Sequence, residues 1–164
     1  MKKWVVAAAC GAIAVIALVF TLLRPSEEDR IRQVLGRFVK GVAVKTDDNI
    51  LSRTGRVKSE LKETVADDVH VDVADLNIRV SNRQALSEAA IKAGLVFTSA
   101  DCELASMTIK VDDSATTAKV DALALVTGVR GGDRKIDKRP VHFLLRKDDG
   151  WKITTIDVAS SVAQ

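Results

Sequence analysis

Tyrosine is absent from all 164 residues, and the aromatic content is two tryptophans and four phenylalanines. Any mechanism that needs a phenolic hydroxyl, as acid, nucleophile or oxyanion donor, is thereby excluded. Cysteine is nearly as scarce: Cys10 falls in an uncharged N-terminal stretch and Cys102 in the polar remainder, with no CxxC pair. HExxH, Walker-loop and dinucleotide-fingerprint patterns are missing as well, so no metal site and no cofactor is expected. An excess of one charge is missing too. The chain has 25 Lys+Arg against 22 Asp+Glu, and setting aside Lys2 and Lys3 leaves 23 against 22. A near-neutral domain argues against a general nucleic-acid binder.

What is present first is a run of twenty residues without a charge, Trp4 to Leu23. At ~1.5 Å rise per helical residue it reaches ~30 Å, the thickness of a bilayer hydrocarbon core. It reads as an uncleaved, single-pass anchor. Residues 1–3 are then a cytoplasmic flank, 4–23 the transmembrane helix, 24–159 a folded domain and 160–164 a tail. Two alternatives compete. A cleaved signal ending at Ala7-Ala8-Ala9 or Ala12-Ile13-Ala14 would leave an apolar stretch on the mature N-terminus. A lipoprotein site at Cys10 has only six apolar residues ahead of it. Lys2 and Lys3 on a very short flank favour N-inside, although Arg24, Arg30 and Arg32 nearly balance them. The expected location is the inner or plasma membrane, with the domain on the extracytoplasmic, for instance periplasmic, side.

The remainder, about 140 residues, suits one domain with a real core. Pro25 breaks from the apolar run, and Ser26-x-x-Asp29 has the spacing of a capping box. Ile31, Val34, Leu35, Phe38, Val39 and Val42 follow with the period of an amphipathic helix. Ile50, Leu51, Val57, Leu61 and Val65 suggest one or two short helices parted near Thr54-Gly55, with Arg53, Arg56, Lys58 and Lys62 as a solvated face. Val69, Val71 and Val73 alternate with His70, Asp72 and Ala74, and Asn77 to Val80 make a partner strand. Ser81-x-x-Gln84 is a second capping box, opening a helix from about Asn82 to Ala93 with Gly94 as its C-cap. Period-2 stretches then cover Asp101–Val111, Ala115–Thr127, Lys135–Arg146 and Trp151–Ala159. Their connections, Asp112-Asp113-Ser114, Arg130-Gly131-Gly132-Asp133 and Asp148-Asp149-Gly150, have hairpin chemistry. The order predicts an α+β domain with a mostly antiparallel sheet.

That order resembles the nuclear transport factor 2-like superfamily, the cone-shaped α+β roll with a cystatin-like arrangement. Three stretches carry the resemblance: the helix from Glu27 to Val44, the handover Val65-Ala66-Asp67-Asp68-Val69-His70-Val71, and the hairpin Phe143 to Ile153 with its Gly150-Trp151-Lys152-Ile153. It covers about residues 26–159 and implies a strongly bent sheet wrapped around N-terminal helices, with a cavity at the open end of the cone. An anchor ahead of such a domain is similar in layout to the inner-membrane scaffold subunit of type IV secretion systems, though no stretch specific to it occurs. Fold alone does not select a function.

The resemblance implies tests for catalysis. Ketosteroid isomerases of this superfamily need a carboxylate base and a tyrosine-containing oxyanion hole. Alignment of their Ala-Asp-Asp stretch on Ala66-Asp67-Asp68 puts Val73 at the base position, and tyrosine is absent. An Asp-Arg-Asp arrangement, as in epoxide hydrolases of the superfamily, has Asp121, Arg146 and Asp157 as its candidates. The candidate pocket residues are His70, Asp121, His142 and Asp157, the groups on strands able to move a proton. No catalytic residue is assigned. Cys102 reads as a small core residue, and Trp151 as core or cone rim. Arg130, Arg134, Lys135, Lys138 and Arg139 crowd one hairpin, offset by Asp133 and Asp137, and are the candidates for contact with anionic lipid or an acidic partner. The expectation is a non-catalytic anchored module that binds a protein partner or small ligand, its partners being the membrane and a protein partner or second copy of the chain. The alternative is a small-molecule isomerase or hydrolase using the cavity.

Overall fold

The computed structural model describes residues 25–160. The flank 1–3 and the expected anchor 4–23 lie outside the described residues. Among the described residues no helix is long and apolar enough to cross a membrane.

Three helices precede and interrupt a six-stranded sheet. Helix α1 (Glu27–Val42) begins with the expected capping box: Asp29 N–H donates to Ser26 Oγ at 3.1 Å, and Ser26 N–H donates to Asp29 at 3.1 Å. Glu27, Glu28 and Asp29 in its first turn complement the positive end of the helix dipole. Its apolar stripe buries Ile31, Leu35, Phe38 and Val39. Gly41 sits where α1 crosses the next helix; a Cβ there would come within 2.6 Å of Glu60 Cβ. Val44 then bridges to Ala100, with N–H···O distances of 2.7 and 2.9 Å in the two directions.

Helix α2 (Ile50–Thr64) is capped by Asn49, whose side chain accepts from Ser52 N–H at 2.8 Å. It is one helix, not two. Gly55 lies exposed within it and contributes no cap, so its ~1 kcal/mol propensity cost is outweighed by the packing of Val57 and Leu61. The expected solvated face also needs correction: Arg53 is only 4% exposed. Its guanidinium donates to Ala43 O (3.1 Å) and Ala90 O (2.5 Å), carbonyls beyond the end of α1 and inside the third helix. Arg56 pairs with Asp48 and donates to Ala43 O at 3.1 Å.

Helix α3 (Arg83–Val96) is capped by Asn82 rather than Ser81, with Ala85 N–H donating to Asn82 Oδ1 at 2.8 Å. Gly94 does not end it, because the helix runs two residues further. The glycine instead makes room: a Cβ there would lie 2.7 Å from Arg53 Nε.

The strands are β1 (Val65–Val73), β2 (Ile78–Val80), β3 (Ser99–Val111), β4 (Thr117–Arg130), β5 (Asp133–Lys147) and β6 (Trp151–Val158). Their spatial order is β2-β1-β6-β5-β4-β3. All neighbours are antiparallel except β1 and β6, so the sheet is mixed, with one parallel pairing inside an otherwise antiparallel sheet. Strand parity gives the sheet an inner face against the helices, where Ala118, Val120, Ala122, Val141, Phe143, Leu145, Ile153 and Ile156 are buried. In β3 the parity changes at a bulge between Ala105 and Thr108, where Ser106 has φ +50. Leu104 and Ile109 thereby both lie against the core despite their odd spacing. Gly131 and Gly132, at φ +60 and +90, make the two-residue turn of the long β4–β5 hairpin.

Candidate ligand site at the open end of the roll

Beyond Ala122–Val141 and then Ala124–Arg139 on the inner face, the β4–β5 hairpin continues to its Gly131-Gly132 turn. The inner-face positions there are Val126, Gly128 and Arg130 on β4, registered with Asp137, Lys135 and Asp133 on β5. Together with Val73, Leu76, Phe97 and Arg139 they line a cavity of about 570 Å³. Phe97 follows the end of α3 and lies over the hairpin; a Cβ on Gly128 would come within 3.2 Å of its ring. The missing side chain at 128 is what lets the ring cover that position.

The walls are apolar and the rim is ionic. Arg139 is mostly buried and held from two sides, donating to Asp137 at 2.6 Å and to Asp75 at 3.3 Å. Asp75 belongs to a 3₁₀ turn (Ala74–Leu76) that carries Leu76 into the cavity wall. Arg130 and Lys135 have no ion pair among the described residues. Two carboxylates, Asp133 and Asp137, share the lining, and Asp137 is already engaged by Arg139. The arrangement suits a guest with an apolar body and a negative group at the rim.

The sequence cluster of five cations is therefore split by strand parity. Arg130, Lys135 and Arg139 line the cavity, whereas Arg134 and Lys138 are registered with Val129 and Leu125 and point to the outer face. Val73, the position aligned with the isomerase base, does line the cavity and is apolar.

The four candidate pocket residues need the opposite correction. Asp121, His142 and Asp157 form a cross-strand row, continued by Asp72 on β1. They alternate with the buried Val120, Val141, Phe143 and Ile156, so the row lies on the outer face. His142 Nδ1 and Asp121 Oδ1 are 2.5 Å apart, and both side chains are more than half exposed. Arg79 on β2 pairs with Asp72 at 2.9 Å. His70, registered with Thr155, is exposed on the same face. Arg146 is four strand positions, ~13 Å, from His142 and pairs with Asp68 and Asp148 at 3.6 and 3.2 Å, so the Asp121-Arg146-Asp157 arrangement does not converge. The row is assembled by register, but away from the cavity. Among the described residues no cluster of three His, Cys, Asp or Glu is arranged to hold a metal.

Two other singled-out residues are structural. Cys102 is half-buried on the inner face of β3; burial, then the charge of Asp101, pushes its thiol up to about 11. Trp151 is buried at the opposite end of the roll from the cavity, donating to Glu27 at 2.7 Å. The cavity residues that sequence reasoning missed are Leu76, Phe97, Val126 and Gly128. Leu76, Phe97 and Gly128 fell between or just beyond the expected elements, and Val126 was one apolar position among many in the expected β4, so none carried a signal of its own.

The fold matches solved structures at low sequence identity. Kfla4162 from Kribbella flavida aligns with a TM-score of 0.69 and 12% identity, over 84% of this chain and 92% of its own. A nuclear transport factor 2-like superfamily protein from Salmonella enterica serovar Typhimurium gives 0.66 and 15%, over 84% and 92%. A nuclear transport factor 2-like protein with a cystatin-like fold from Novosphingobium aromaticivorans gives 0.61 and 15%, over 88% and 86%. The described residues thus have the nuclear transport factor 2-like, cystatin-like fold. No family model and no curated protein matches the sequence.

Proposed function

We propose that this chain is a membrane-tethered, non-catalytic binding domain that takes a small, apolar-bodied anion into the open end of its roll. The observation that carries the reading is the composition of the 570 Å³ cavity: apolar walls from Val73, Leu76, Phe97 and Val126 beneath the cations Arg130, Lys135 and Arg139. A proton-transfer site needs an acid or base within reach of the guest. Here the base position is Val73, the His142–Asp121 pair faces away from the cavity, and of the two lining carboxylates Asp137 is held by Arg139 while Asp133 is exposed at the hairpin turn. That separation argues against the isomerase or hydrolase alternative.

The tether in this reading is the uncharged segment 4–23, with the N-terminus in the cytoplasm and the domain outside it. The chain enters the domain at Ser26 and Glu27, beside Lys147 and Trp151, whereas the cavity lies at the other end of β5. This arrangement favours presentation of the mouth away from the bilayer that holds the tether. The basic hairpin then suits a small anion or an acidic partner better than the headgroups of its own membrane.

The test is photo-crosslinking from a probe at Leu76 in the full chain, in native membranes. A small-molecule adduct is expected, and it is lost when Arg130 and Arg139 are both replaced by Gln. Capture of one specific protein instead would replace the ligand reading with a partner. An adduct indifferent to both replacements would sink the cavity reading. Protease treatment of spheroplasts checks the tether: the domain should be digested from outside.

A further inference from the structure

Strand β4 is apolar on both of its faces. Inward it presents Ala122, Ala124 and Val126, and outward Leu123, Leu125 and Val129. An antiparallel strand with one solvated face alternates apolar with polar, so an apolar outer row is the mark of a second covered face. Beside that row β5 places Pro140, Ile136, which is 55% exposed, and the cations Lys138 and Arg134. On its other side β3 places Asp101 and Glu103. The outer face is therefore striped: acidic on β3, apolar on β4, basic and apolar on β5. Asp101, Glu103, Arg134 and Lys138 are all exposed, and none has an ion pair among the described residues. Glu103 and Lys138 share the row of Leu125 but stand two strand spacings apart, ~9.6 Å, with Leu125 between them.

The stripes are self-complementary. In a face-to-face pair related by a two-fold axis along β4, the β3 acids of each copy lie over the β5 cations of the other. Glu103 then meets the partner's Lys138, Asp101 falls between the partner's Arg134 and the partner's Lys138, and Leu123 and Leu125 meet their own copies. Sheets packed in this way lie ~10 Å apart, a gap that a Glu and a Lys side chain together span. The start of the chain selects the same axis. In the tethered reading only Arg24 and Pro25 separate the membrane segment from Ser26, the cap of α1. Strand β4 begins at that end, where Lys147 N–H donates to Thr116 O at 2.8 Å and the Lys147 side chain pairs with Glu27, and it runs to Arg130 at the cavity end. It thus points away from the bilayer, and two chains of one topology in one bilayer are related by an axis in that direction. The striped patch from Leu123 to Val129 across three strands measures roughly 15 by 24 Å, less than a permanent dimer in solution needs. Confinement in a membrane raises the effective concentration and favours so small a contact.

We infer that the outer face of β3, β4 and β5 is an interface with a second copy of this chain in the same membrane, held by reciprocal Glu103–Lys138 pairs around the Leu123 and Leu125 row. Only the choice of axis rests on the proposed tether; the cavity, on the other face, plays no part. The test uses the full chain in phosphatidylcholine vesicles, with Cys10 and Cys102 replaced by Ala and a single cysteine introduced. Mild oxidation should link Leu125→Cys chains into disulfide dimers, whereas Lys110→Cys, one strand off the axis on β3, should not link. In the Leu125→Cys background, Glu103→Lys and Lys138→Glu each set like charges across the contact and should lower the dimer yield at least about tenfold. Mixing the two single variants, or combining both changes in one chain, restores opposite charges and should recover the yield. The melting temperature of dilute protein in neutral micelles should be unchanged by these exposed substitutions. Absence of the Leu125→Cys dimer, equal linking from Lys110→Cys, or a yield indifferent to both charge reversals would overturn the interface. Reversals that lower the yield without recovery on mixing would overturn the Glu103–Lys138 pairing. Protease digestion of spheroplasts reads the tether separately, so a failed tether is told apart from a failed interface.

Discussion

Trp151 Nε1–H donates to Glu27 at 2.7 Å, joining the first turn of α1 to the start of β6 across 124 residues. Lys147 adds an ion pair to the same carboxylate at 2.9 Å and lies 5.7 Å from the centre of the indole ring. The Lys147 hydrogen bond first, then that of Trp151, hold the Glu27 carboxyl below its ordinary value of 4.5. A carboxylate lowered in this way stabilises the fold above its unfolded value, and the contribution is lost as pH falls through the folded one. Glu27→Gln should therefore melt lower than wild type at pH 7, with the gap closing below pH 4.5. A gap that stays constant to pH 3 would detach Glu27 from the acid transition.

Phe38 on α1 meets Phe143 on β5 edge-to-face, with ring centres 6.5 Å apart and planes at 78°. Both rings are buried. Phe38→Ala should cost ~3–5 kcal/mol in denaturant unfolding, the usual range for a deleted core aromatic. A loss under ~0.5 kcal/mol is surface behaviour and would remove α1 from the core.

Arg53 and Gly94 are coupled by contact. Arg53→Ala removes the buried stem and the guanidinium hydrogen bonds to the carbonyls of Ala43 and Ala90, and should cost about 2–4 kcal/mol. Gly94→Ala in the wild type drives a methyl group into the guanidinium and should cost ~1–3 kcal/mol. In the Arg53→Ala background the same change should be neutral or favourable, because alanine is the better helix former. A double-mutant cycle with additive costs would contradict the contact.

Gly128→Ala displaces the Phe97 ring by a few tenths of an ångström at most, given the 3.2 Å approach. Stability should change by less than about 1 kcal/mol, since both positions are near the surface. Crosslinking from Leu76 should nonetheless change in yield or product, because the cavity wall has moved. Unaltered crosslinking would place the guest away from Phe97.

Cys102, with its thiol pushed up to about 11, is a thiolate at pH 8 in on the order of one molecule in a thousand. Peptide mapping after iodoacetamide treatment should show Cys102 alkylated about two orders of magnitude more slowly than a free thiol. Rapid labelling would place it outside the β3 core.

The local signals were legible wherever one residue type has one physical use. The Ser26–Asp29 capping box, the apolar stripe of α1, the Gly131-Gly132 turn and the period-2 strands all follow from backbone and burial rules acting within about ten residues. Asn82 and Gly94 were misread because the same residue types serve more than one purpose. A glycine near a helix end can take a left-handed conformation or admit a neighbour, and here the neighbour is an arginine 41 positions earlier in the chain. Arg53 shows the same limit: its type favours solvent, and only the convergence of two carbonyls from other segments makes burial tolerable.

Site assembly lay furthest from the sequence. Alternation along each strand separates Arg134 and Lys138 from Arg139, and it was readable; which parity faces inward depends on bulges and on pairing across the sheet. The register of β4, β5 and β6 collects Asp121, His142 and Asp157 into one row, and strand parity then turns that row outward. The cavity wall draws Val73, Leu76, Phe97 and Gly128 from four separate segments, none carrying a chemical signature of its own. Composition determined by itself that no phenol was available, because that depends only on which atoms the chain contains. The curvature of the sheet around the helices decided which apolar and cationic side chains share a cavity, because proximity between distant segments is a property of packing and not of any local pattern.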